Sequence, residues 1–443
     1  MVKPADASAA EPPVPRRSMR RRLLLIGLWS AVGLWMLMLA KALPARATRW
    51  DYTIYYTSAL AMRQGMNAYT QDLTPLARSL GFDLGKINHA TDPPTFVLCF
   101  EPLTLFSPHI GFWIWTGINA LAFLLALVLL LRWTPALNGD NAWVVAGIVL
   151  LFPPVVDHLV WGQNKMLLLL MLVLMMRWME QGKDAAAGLI LALGSLLRAF
   201  PLLLVAYLVL LGRWRVVWYT MVGLAVGGVA TLALLGVGRS FSFLFALDLL
   251  TQSRWQSLPG NIALGPTIWR ACWYLLGDDL TPATRLLAHA ISLAAEAAVL
   301  GFTLKATLHR RNDADRDWRL LSLWIMTAIL LSPTSWFYYL VLLAIPMVEM
   351  SAAVLAGTLS KRALYSGCAV FLLAWPYYVI IDAHPSNFGW FEGSVIWRLG
   401  AAPVALLAYL SLYWFAVDQP VSAAARAEPT PTLEELQVQA ANS

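Results

Sequence analysis

The feature that most constrains this chain is a series of apolar segments about as long as membrane-spanning helices. Roughly 20 apolar residues span the hydrocarbon core of a bilayer. The best candidates lie at 23–42, 109–132, 142–160, 164–179, 214–236, 285–308, 337–357, 363–381 and 395–416. Weaker candidates, shorter or interrupted, lie at 185–198, 200–212 and 318–333. The pattern predicts an all-α polytopic membrane protein with about 12 transmembrane helices.

The composition agrees with a membrane location. Hydrophobic residues make up 59% of the 443 residues and charged residues 13%, whereas a soluble domain has about 45–50% apolar and about 25% charged residues. These proportions exclude a soluble enzyme, a disordered protein and a disulfide-rich secreted module. In a membrane protein a net charge of +7 reports topology rather than nucleic-acid binding, so no nucleic-acid partner is expected.

Basic residues predict the orientation. A cluster that includes Arg20, Arg21 and Arg22 precedes the first apolar segment, and such clusters favour the cytoplasmic side. We therefore expect both termini in the cytoplasm. The predicted parts are a basic tail at 1–22, a transmembrane domain at 23–416, and a polar tail at 417–443 that is expected to be disordered.

Two long outer loops are predicted, at about 43–108 and 237–284. The first contains amphipathic stretches at 55–64 and 93–106, and the second is apolar and rich in tryptophan. Segments of this kind lie along the membrane surface. We expect interfacial helices in both loops.

Two charged residues are candidates for a catalytic or a binding role. Asp51 follows the first span and precedes several aromatic residues. A carboxylate there could act as a general base or simply solvate the loop. Arg198 interrupts an apolar stretch; its guanidinium suits phosphate, although an arginine can also extend to the membrane interface.

Two polar turns join predicted spans. In the first, Gln163 and Asn164 could bind sugar hydroxyls and Lys165 could assist phosphate binding, although a polar helix cap has the same appearance. In the second, Pro333 breaks the helix, and the aromatic residues beside Ser335 and Trp336 could stack on a sugar or anchor the interface.

The sequence contains no clear metal or nucleotide motif. The histidines have no metal-ligand spacing, and the three cysteines are far apart. The D-x-D pattern at 313–315 lies in a charged cytoplasmic loop and is interpreted as chance. No P-loop or dinucleotide fingerprint is present.

The candidate charged residues and polar turns occur in an order that resembles the motif order of glycosyltransferase family 87. The matching elements are Asp51-Tyr52-x-x-Tyr55-Tyr56, Gly65-Met66-Asn67-Ala68-Tyr69, Pro93-Pro94 with Pro102-Leu103, Trp161-Gly162-Gln163-Asn164, Leu196-x-Arg198-x-x-Pro201 and Leu331-Ser332-Pro333-x-Ser335-Trp336. The ordered set extends from about residue 48 to 350, and the last third of the chain carries none of these motifs.

The resemblance implies a GT-C fold and a hexosyltransferase of the plasma (inner) membrane and cell envelope. Such an enzyme takes a sugar, with mannose the expected one, from a polyprenyl-monophosphate carrier. It transfers the sugar on the outer face to a glycolipid or glycan acceptor, with inversion.

The resemblance also assigns roles to residues. Asp51 corresponds to the catalytic base, and Arg198, with Lys165, to the donor-phosphate contacts. We expect sugar or acceptor contacts from Tyr55, Tyr56, Gln163, Asn164, Ser335, Trp336 and Tyr339. No metal or other cofactor is required on this interpretation, although a divalent ion is compatible with it. We expect Asp51, Gln163, Lys165 and Arg198 to face one outer cavity.

The chain departs from the family pattern at two positions. Phe337-Tyr338-Tyr339 stands where the family often has histidine, and Arg198 stands where lysine is common. Two other functions are alternatives: a transporter or flippase of a lipid-linked sugar, and an O-antigen-type polymerase or ligase. A transporter is less favoured because the chain shows no internal repeat.

Overall fold

A computed structural model describes residues 17–46, 50–82, 90, 92–245, 258, 260–276, 281–310, 318–378 and 400–418. Most of the basic tail at 1–22, the D-x-D pattern at 313–315 and most of the tail at 417–443 lie outside these residues. The predictions for those segments stay predictions.

The first half of the chain forms a series of helices of very different length. They are α1 (Arg17–Ala42), α2 (Trp50–Arg63), α3 (Thr74–Ser79), α4 (Pro94–Phe100), α5 (Pro108–Trp133), α6 (Asp140–Leu150), α7 (Pro153–Trp161), α8 (Lys165–Glu180), α9 (Asp184–Leu197) and α10 (Leu203–Leu210). Short 3-10 turns occupy Leu43–Arg46, Glu101–Leu105 and Phe200–Leu202.

The second half continues in the same way. Its helices are α11 (Trp214–Leu235), α12 (Val237–Phe241), α13 (Leu264–Leu276), α14 (Pro282–His309), α15 (Trp318–Leu331), α16 (Ala344–Leu355), α17 (Lys361–Tyr377) and α18 (Ala402–Val417). A 3-10 helix at Phe337–Leu343 leads directly into α16. Within the described residues the only strand-like pairing is an isolated bridge between Asn261 and Trp336.

The all-helical class is therefore confirmed. Among the described residues, five helical segments are long and apolar enough to cross a membrane: Met19–Ala45, Pro108–Trp133, Trp214–Leu235, Pro282–His309 and Phe337–Leu355. Most of the other helices in the predicted spans are too short to be among these five segments, and α17 is not among them either. The count of about 12 spans and the GT-C fold stay predictions.

The segment at 142–160 differs from the prediction of one continuous span. It consists of α6 and α7, which meet at a bend of 51°. Pro153 and Pro154 stand at the start of α7. Proline lacks the backbone donor that a continuous helix needs and clashes with the preceding turn, so the helix restarts in a new direction.

Two features of the fold bring polar residues to one place. Helices α8 and α9 pack together as a hairpin joined by a short turn, so the first residue of α8 and the residue after α9 lie at the same end. Helix α2 packs on α4 and the 3-10 turn that follows α4. The short helices predicted in the first loop are therefore present, and α2 begins beside the turn that precedes α8.

Candidate active site

A glycine turn positions the centre of the site. Helix α7 ends at Gly162, which has a left-handed φ of 68°. A Cβ there would lie 2.8 Å from Cβ of Tyr52, so only glycine fits without a shift. The indole of Trp115 donates a 2.7 Å hydrogen bond to the Gly162 carbonyl. This fixed turn directs the next side chain, Gln163, towards α2.

The start of α8 is capped by a histidine. The backbone N–H groups of Lys165 and Met166 donate to Nε2 of His158, at 2.8 and 3.2 Å. The first N–H groups of a helix have no partner within it, so this contact satisfies two of them. His158 is completely buried, and its position fixes that of Lys165.

Gln163 links three side chains. Its Nε2 donates a hydrogen bond to Oδ2 of Asp51. Its Oε1 accepts from the Tyr55 hydroxyl at 2.8 Å and from the Lys165 ammonium at 2.6 Å. One amide therefore joins the carboxylate to the buried cation.

Lys165 is an unusual cation in this setting. Its side chain is fully buried, and buried lysines are normally paired with an acid. It forms no direct ion pair with a described residue; besides Gln163, its ammonium lies 4.4 Å from the ring centre of Tyr339. A buried charge without an ionic partner favours binding of an anion.

Asp51 receives a second hydrogen bond from a distant part of the chain. The Tyr338 hydroxyl donates to Oδ2 of Asp51 at 3.1 Å. Burial raises the pKa of Asp51 above the ordinary value, while the hydrogen bond from Tyr338, the charge of Lys165 and the hydrogen bond from Gln163 act in the opposite direction. A carboxyl with a raised pKa is a stronger base once ionised.

Arg198 continues the polar network. Its Nη1 forms an ion pair with Oδ1 of Asp92, and its Nη2 donates a 3.0 Å hydrogen bond to the Tyr339 hydroxyl. Tyr339 therefore lies between two cations, Arg198 and Lys165. We call Asp51, Tyr55, Asp92, Gln163, Lys165, Arg198, Tyr338 and Tyr339 the polar cluster.

Two of the three tyrosines of the cluster, Tyr338 and Tyr339, are positioned by a backbone bridge. The N–H of Ile262 donates to the Ser335 carbonyl at 2.6 Å, and the N–H of Phe337 donates to the Gly260 carbonyl at 3.1 Å. Oδ1 of Asn261 accepts from the Ser335 N–H at 3.1 Å. The second predicted outer loop therefore fixes the segment that carries Tyr338 and Tyr339.

Two predicted sugar contacts are buried polar groups without a hydrogen-bond partner. The side-chain oxygen and nitrogen of Asn164, and the hydroxyl of Ser335, make no hydrogen bond in the described part of the chain. Both residues are at least nine-tenths buried. Such groups carry a desolvation cost, which a ligand with hydroxyl groups would relieve.

Two other predicted contacts lie outside the polar cluster. The Tyr56 hydroxyl donates to the Phe106 carbonyl at 2.7 Å, and its ring packs against Phe82. Trp336 takes part in the bridge to Asn261. The structure gives both residues packing contacts, and their predicted sugar or acceptor roles stay predictions.

Three residues of the site were not identified from the sequence. Asp92 directly precedes the Pro93-Pro94 pair, and this position was the only local signal for it. Tyr338 stood out only as a departure from the family pattern. In the sequence His158 is one of the histidines without metal-ligand spacing, and only the fold shows that it caps α8.

The arrangement combines a base with positive charge. Asp51 can accept a proton, and Lys165 and Arg198 can stabilise an anion that develops nearby. Among the residues that the structure describes, no three His, Cys, Asp or Glu side chains gather as a metal site would require. The chemistry that these side chains support is displacement of an anionic leaving group by a deprotonated hydroxyl.

Comparison with known proteins identifies a family. The sequence profile of glycosyltransferase family 87 matches residues 90–333, which is more than half of the chain. No curated protein and no solved structure matches. The profile covers Asp92, Gln163, Lys165 and Arg198, whereas Asp51, Tyr338 and Tyr339 lie outside the matched residues.

Proposed function

The chain belongs to glycosyltransferase family 87. We therefore propose that it moves a hexose from a polyprenyl-monophosphate carrier to a lipid or glycan acceptor, with mannose as the expected hexose. Family membership together with the apolar helices makes it a membrane glycosyltransferase. The observation that carries the finer proposal is the chain of contacts from Asp51 through Gln163 to Lys165.

In the proposed reaction Asp51 takes the proton of an acceptor hydroxyl. The acceptor oxygen attacks the anomeric carbon, and the bond from that carbon to the phosphate oxygen breaks. The polyprenyl phosphate leaves with the electron pair, and the configuration inverts. Lys165 and Arg198 would stabilise the departing phosphate, so a metal is not needed for this step.

The sugar would lie between the base and the cations. The unpartnered groups of Asn164 and Ser335 support this placement, because they offer hydrogen bonds that no described residue takes. The Tyr55 hydroxyl and Gln163 are already engaged with each other, and they would orient the sugar or acceptor from the side of α2. On this proposal the substrates are the lipid-linked donor and a glycolipid or glycan acceptor, and the surrounding membrane lipids are further partners.

We extend the proposal to location and architecture. The enzyme would have a GT-C fold with about 12 spans in the plasma (inner) membrane, with both termini cytoplasmic and the polar cluster at the outer face. The helices at most of the predicted spans support this arrangement. With the native cysteines removed, a membrane-impermeant thiol reagent should label Asp72→Cys in intact cells. It should label Lys183→Cys only after permeabilisation, and the reverse pattern would contradict the topology.

The first test of function uses a panel of radiolabelled polyprenyl-monophosphate sugars with a membrane lipid extract as acceptor source. We expect the purified wild type to use one donor and Asp51→Asn to lower kcat about 10²–10⁴-fold, the usual contribution of a general base. The matched control is Asp72→Asn, an exposed acid of the first loop, which should keep full activity. Full activity of a folded Asp51→Asn preparation would refute the role of Asp51 as the base.

A second outcome would change the class of activity. If the folded wild type turns over no donor but catalyses exchange of a labelled lipid-linked sugar across proteoliposome membranes, the protein is a transporter. Use of a pyrophosphate-linked donor in place of the monophosphate would instead indicate a polymerase or ligase.

A further inference from the structure

We propose that Asp92 sets the negative charge that the donor site accepts, so that a lipid with one phosphate is favoured over the same lipid with a diphosphate. The inference rests on the proposed function, because it takes Lys165 and Arg198 as the contacts of the donor phosphate. Asp92 acts through Arg198 and is therefore a positioning residue.

The ion pair leaves room for a ligand on Arg198. Asp92 contacts Nη1, and the Tyr339 hydroxyl contacts Nη2. A guanidinium has five N–H groups, so a phosphate can be added without breaking either contact. The Arg198 side chain is 16% exposed, whereas that of Asp92 is 4% exposed. A ligand therefore reaches Arg198 first.

The backbone of Asp92 is fixed, which keeps its carboxylate beside Arg198. The Tyr69 hydroxyl donates a 2.8 Å hydrogen bond to the Asp92 carbonyl. Pro93 and Pro94 follow at once, and Pro94 is the first residue of α4. Proline restricts the conformation of its own residue and the one before it. We infer that Asp92 stays in place when the donor phosphate arrives.

The charges of the polar cluster then decide between ligands. Lys165 and Arg198 are balanced by two carboxylates, those of Asp51 and Asp92. Repulsion between Asp92 and a bound lipid grows with the negative charge of the lipid. A diphosphate carries about one more negative charge than a monophosphate, so Asp92 penalises the diphosphate more strongly.

The test measures equilibrium binding of two sugar-free carriers, polyprenyl monophosphate and polyprenyl diphosphate, to the full-length protein in detergent. The readout is the ratio of the two Kd values. We expect Asp92→Asn to shift this ratio towards the diphosphate by about tenfold, the scale of one charge pair in a partly buried site. Asp72→Asn, the exposed control, should leave the ratio unchanged.

A second variant covers the case in which Asp92→Asn does not fold because Arg198 loses its ionic partner. The double variant Asp92→Asn/Arg198→Gln removes both charges and restores the net charge of the wild-type cluster. Its reference is Arg198→Gln alone, which differs from it only in keeping the Asp92 charge, and the proposal predicts that the ratio in the double variant is shifted towards the diphosphate relative to Arg198→Gln. An equal ratio in these two variants would overturn it.

The outcomes separate this inference from the proposed function. If the wild type binds neither lipid, the donor class is wrong. If the wild type binds the monophosphate and the ratio is the same in folded Asp92→Asn, only the role of Asp92 is refuted. If Asp92 had only a structural role, Asp92→Asn would weaken the binding of both lipids equally and leave the ratio of the two Kd values unchanged.

Discussion

The Tyr338 hydroxyl donates a 3.1 Å hydrogen bond to Oδ2 of Asp51, although the two residues are 287 positions apart in the chain. The bond connects the segment after α15 to the start of α2. It also favours the ionised form of Asp51, because a hydrogen-bond donor stabilises the carboxylate. The hydroxyl therefore tunes the residue that we propose as the base.

We predict that Tyr338→Phe raises the pKa of Asp51 further. Burial already raises it, and the lost hydrogen bond is the largest of the opposing effects. Asp51 acts as a base only above this pKa. As the pH is lowered, kcat/KM of Tyr338→Phe should therefore begin to decrease at a higher pH than kcat/KM of the wild type. The measurement is the pH profile of transfer. Tyr56→Phe is the control, since that hydroxyl binds the Phe106 carbonyl, and an identical shift there would contradict the assignment.

Lys165→Met should weaken donor binding without weakening the fold. The lysine is buried without a direct ion pair to a described residue, so an apolar side chain of similar length removes a desolvation cost. We expect an unchanged or higher Tm and a donor KM raised about tenfold or more, the range for a lost charge-assisted contact. Lys183 is an exposed lysine in the turn between α8 and α9, and Lys183→Met should change neither. A large fall in Tm with an unchanged KM would show that Lys165 is structural.

Gly162→Ala should distort the turn that directs Gln163. Alanine at a left-handed φ costs about 1–2 kcal/mol, and its Cβ would lie 2.8 Å from Cβ of Tyr52. Gly182→Ala is a matched control, since Gly182 has a similar φ of 70° and no atom within 4 Å of the added Cβ. Both variants should lose stability, but only Gly162→Ala should lose activity as well. Equal activity in the two would show that the turn does not position the site.

Asn164→Ala should separate ligand binding from folding. The amide makes no hydrogen bond among the described residues, so its loss should leave Tm unchanged or slightly raised. If the amide binds a sugar hydroxyl, the KM of donor or acceptor should rise about tenfold. Asn67→Ala is the contrasting variant, because the Asn67 amide donates to the Ser242 hydroxyl at 2.8 Å and accepts from the Tyr69 N–H at 3.0 Å. It should lower Tm and leave KM unchanged, and an unaltered KM in Asn164→Ala would remove Asn164 from the site.

The sequence was sufficient to predict the helices and part of the site. Apolar length predicts where helices lie, and the structure has helices close to most of those segments. The bend between α6 and α7 depends on Pro153 and Pro154. The mean hydropathy of an apolar segment changes little when it contains two prolines, so it does not reveal the bend. The expectation that Asp51, Gln163, Lys165 and Arg198 face one outer cavity came from motif order. The structure joins these residues through Gln163 and Tyr339, and the outer cavity stays a prediction.

The pairing of Asp92 with Arg198 could not be predicted in this way. The two residues are 106 positions apart, and a single sequence gives no information on which acid meets which base across such a separation. Tyr338 presents the same difficulty, because its hydroxyl reaches Asp51 only after α15 and the loop around Asn261 have folded together. Local patterns identify candidate residues, whereas long-range packing selects the partners.

The bridge between Asn261 and the segment that begins at Ser335 has a consequence for inhibition. A buried arginine, Arg270, donates a 2.7 Å hydrogen bond to the Asn261 carbonyl and so ties α13 to this bridge. Three residues after Ser335, the Tyr338 hydroxyl contacts Asp51. A compound or antibody fragment that displaced the loop at 260–262 would free Tyr338 from its position. Such a binder would lower the rate of catalysis without competing with either substrate, so raising the substrate concentration would not restore it.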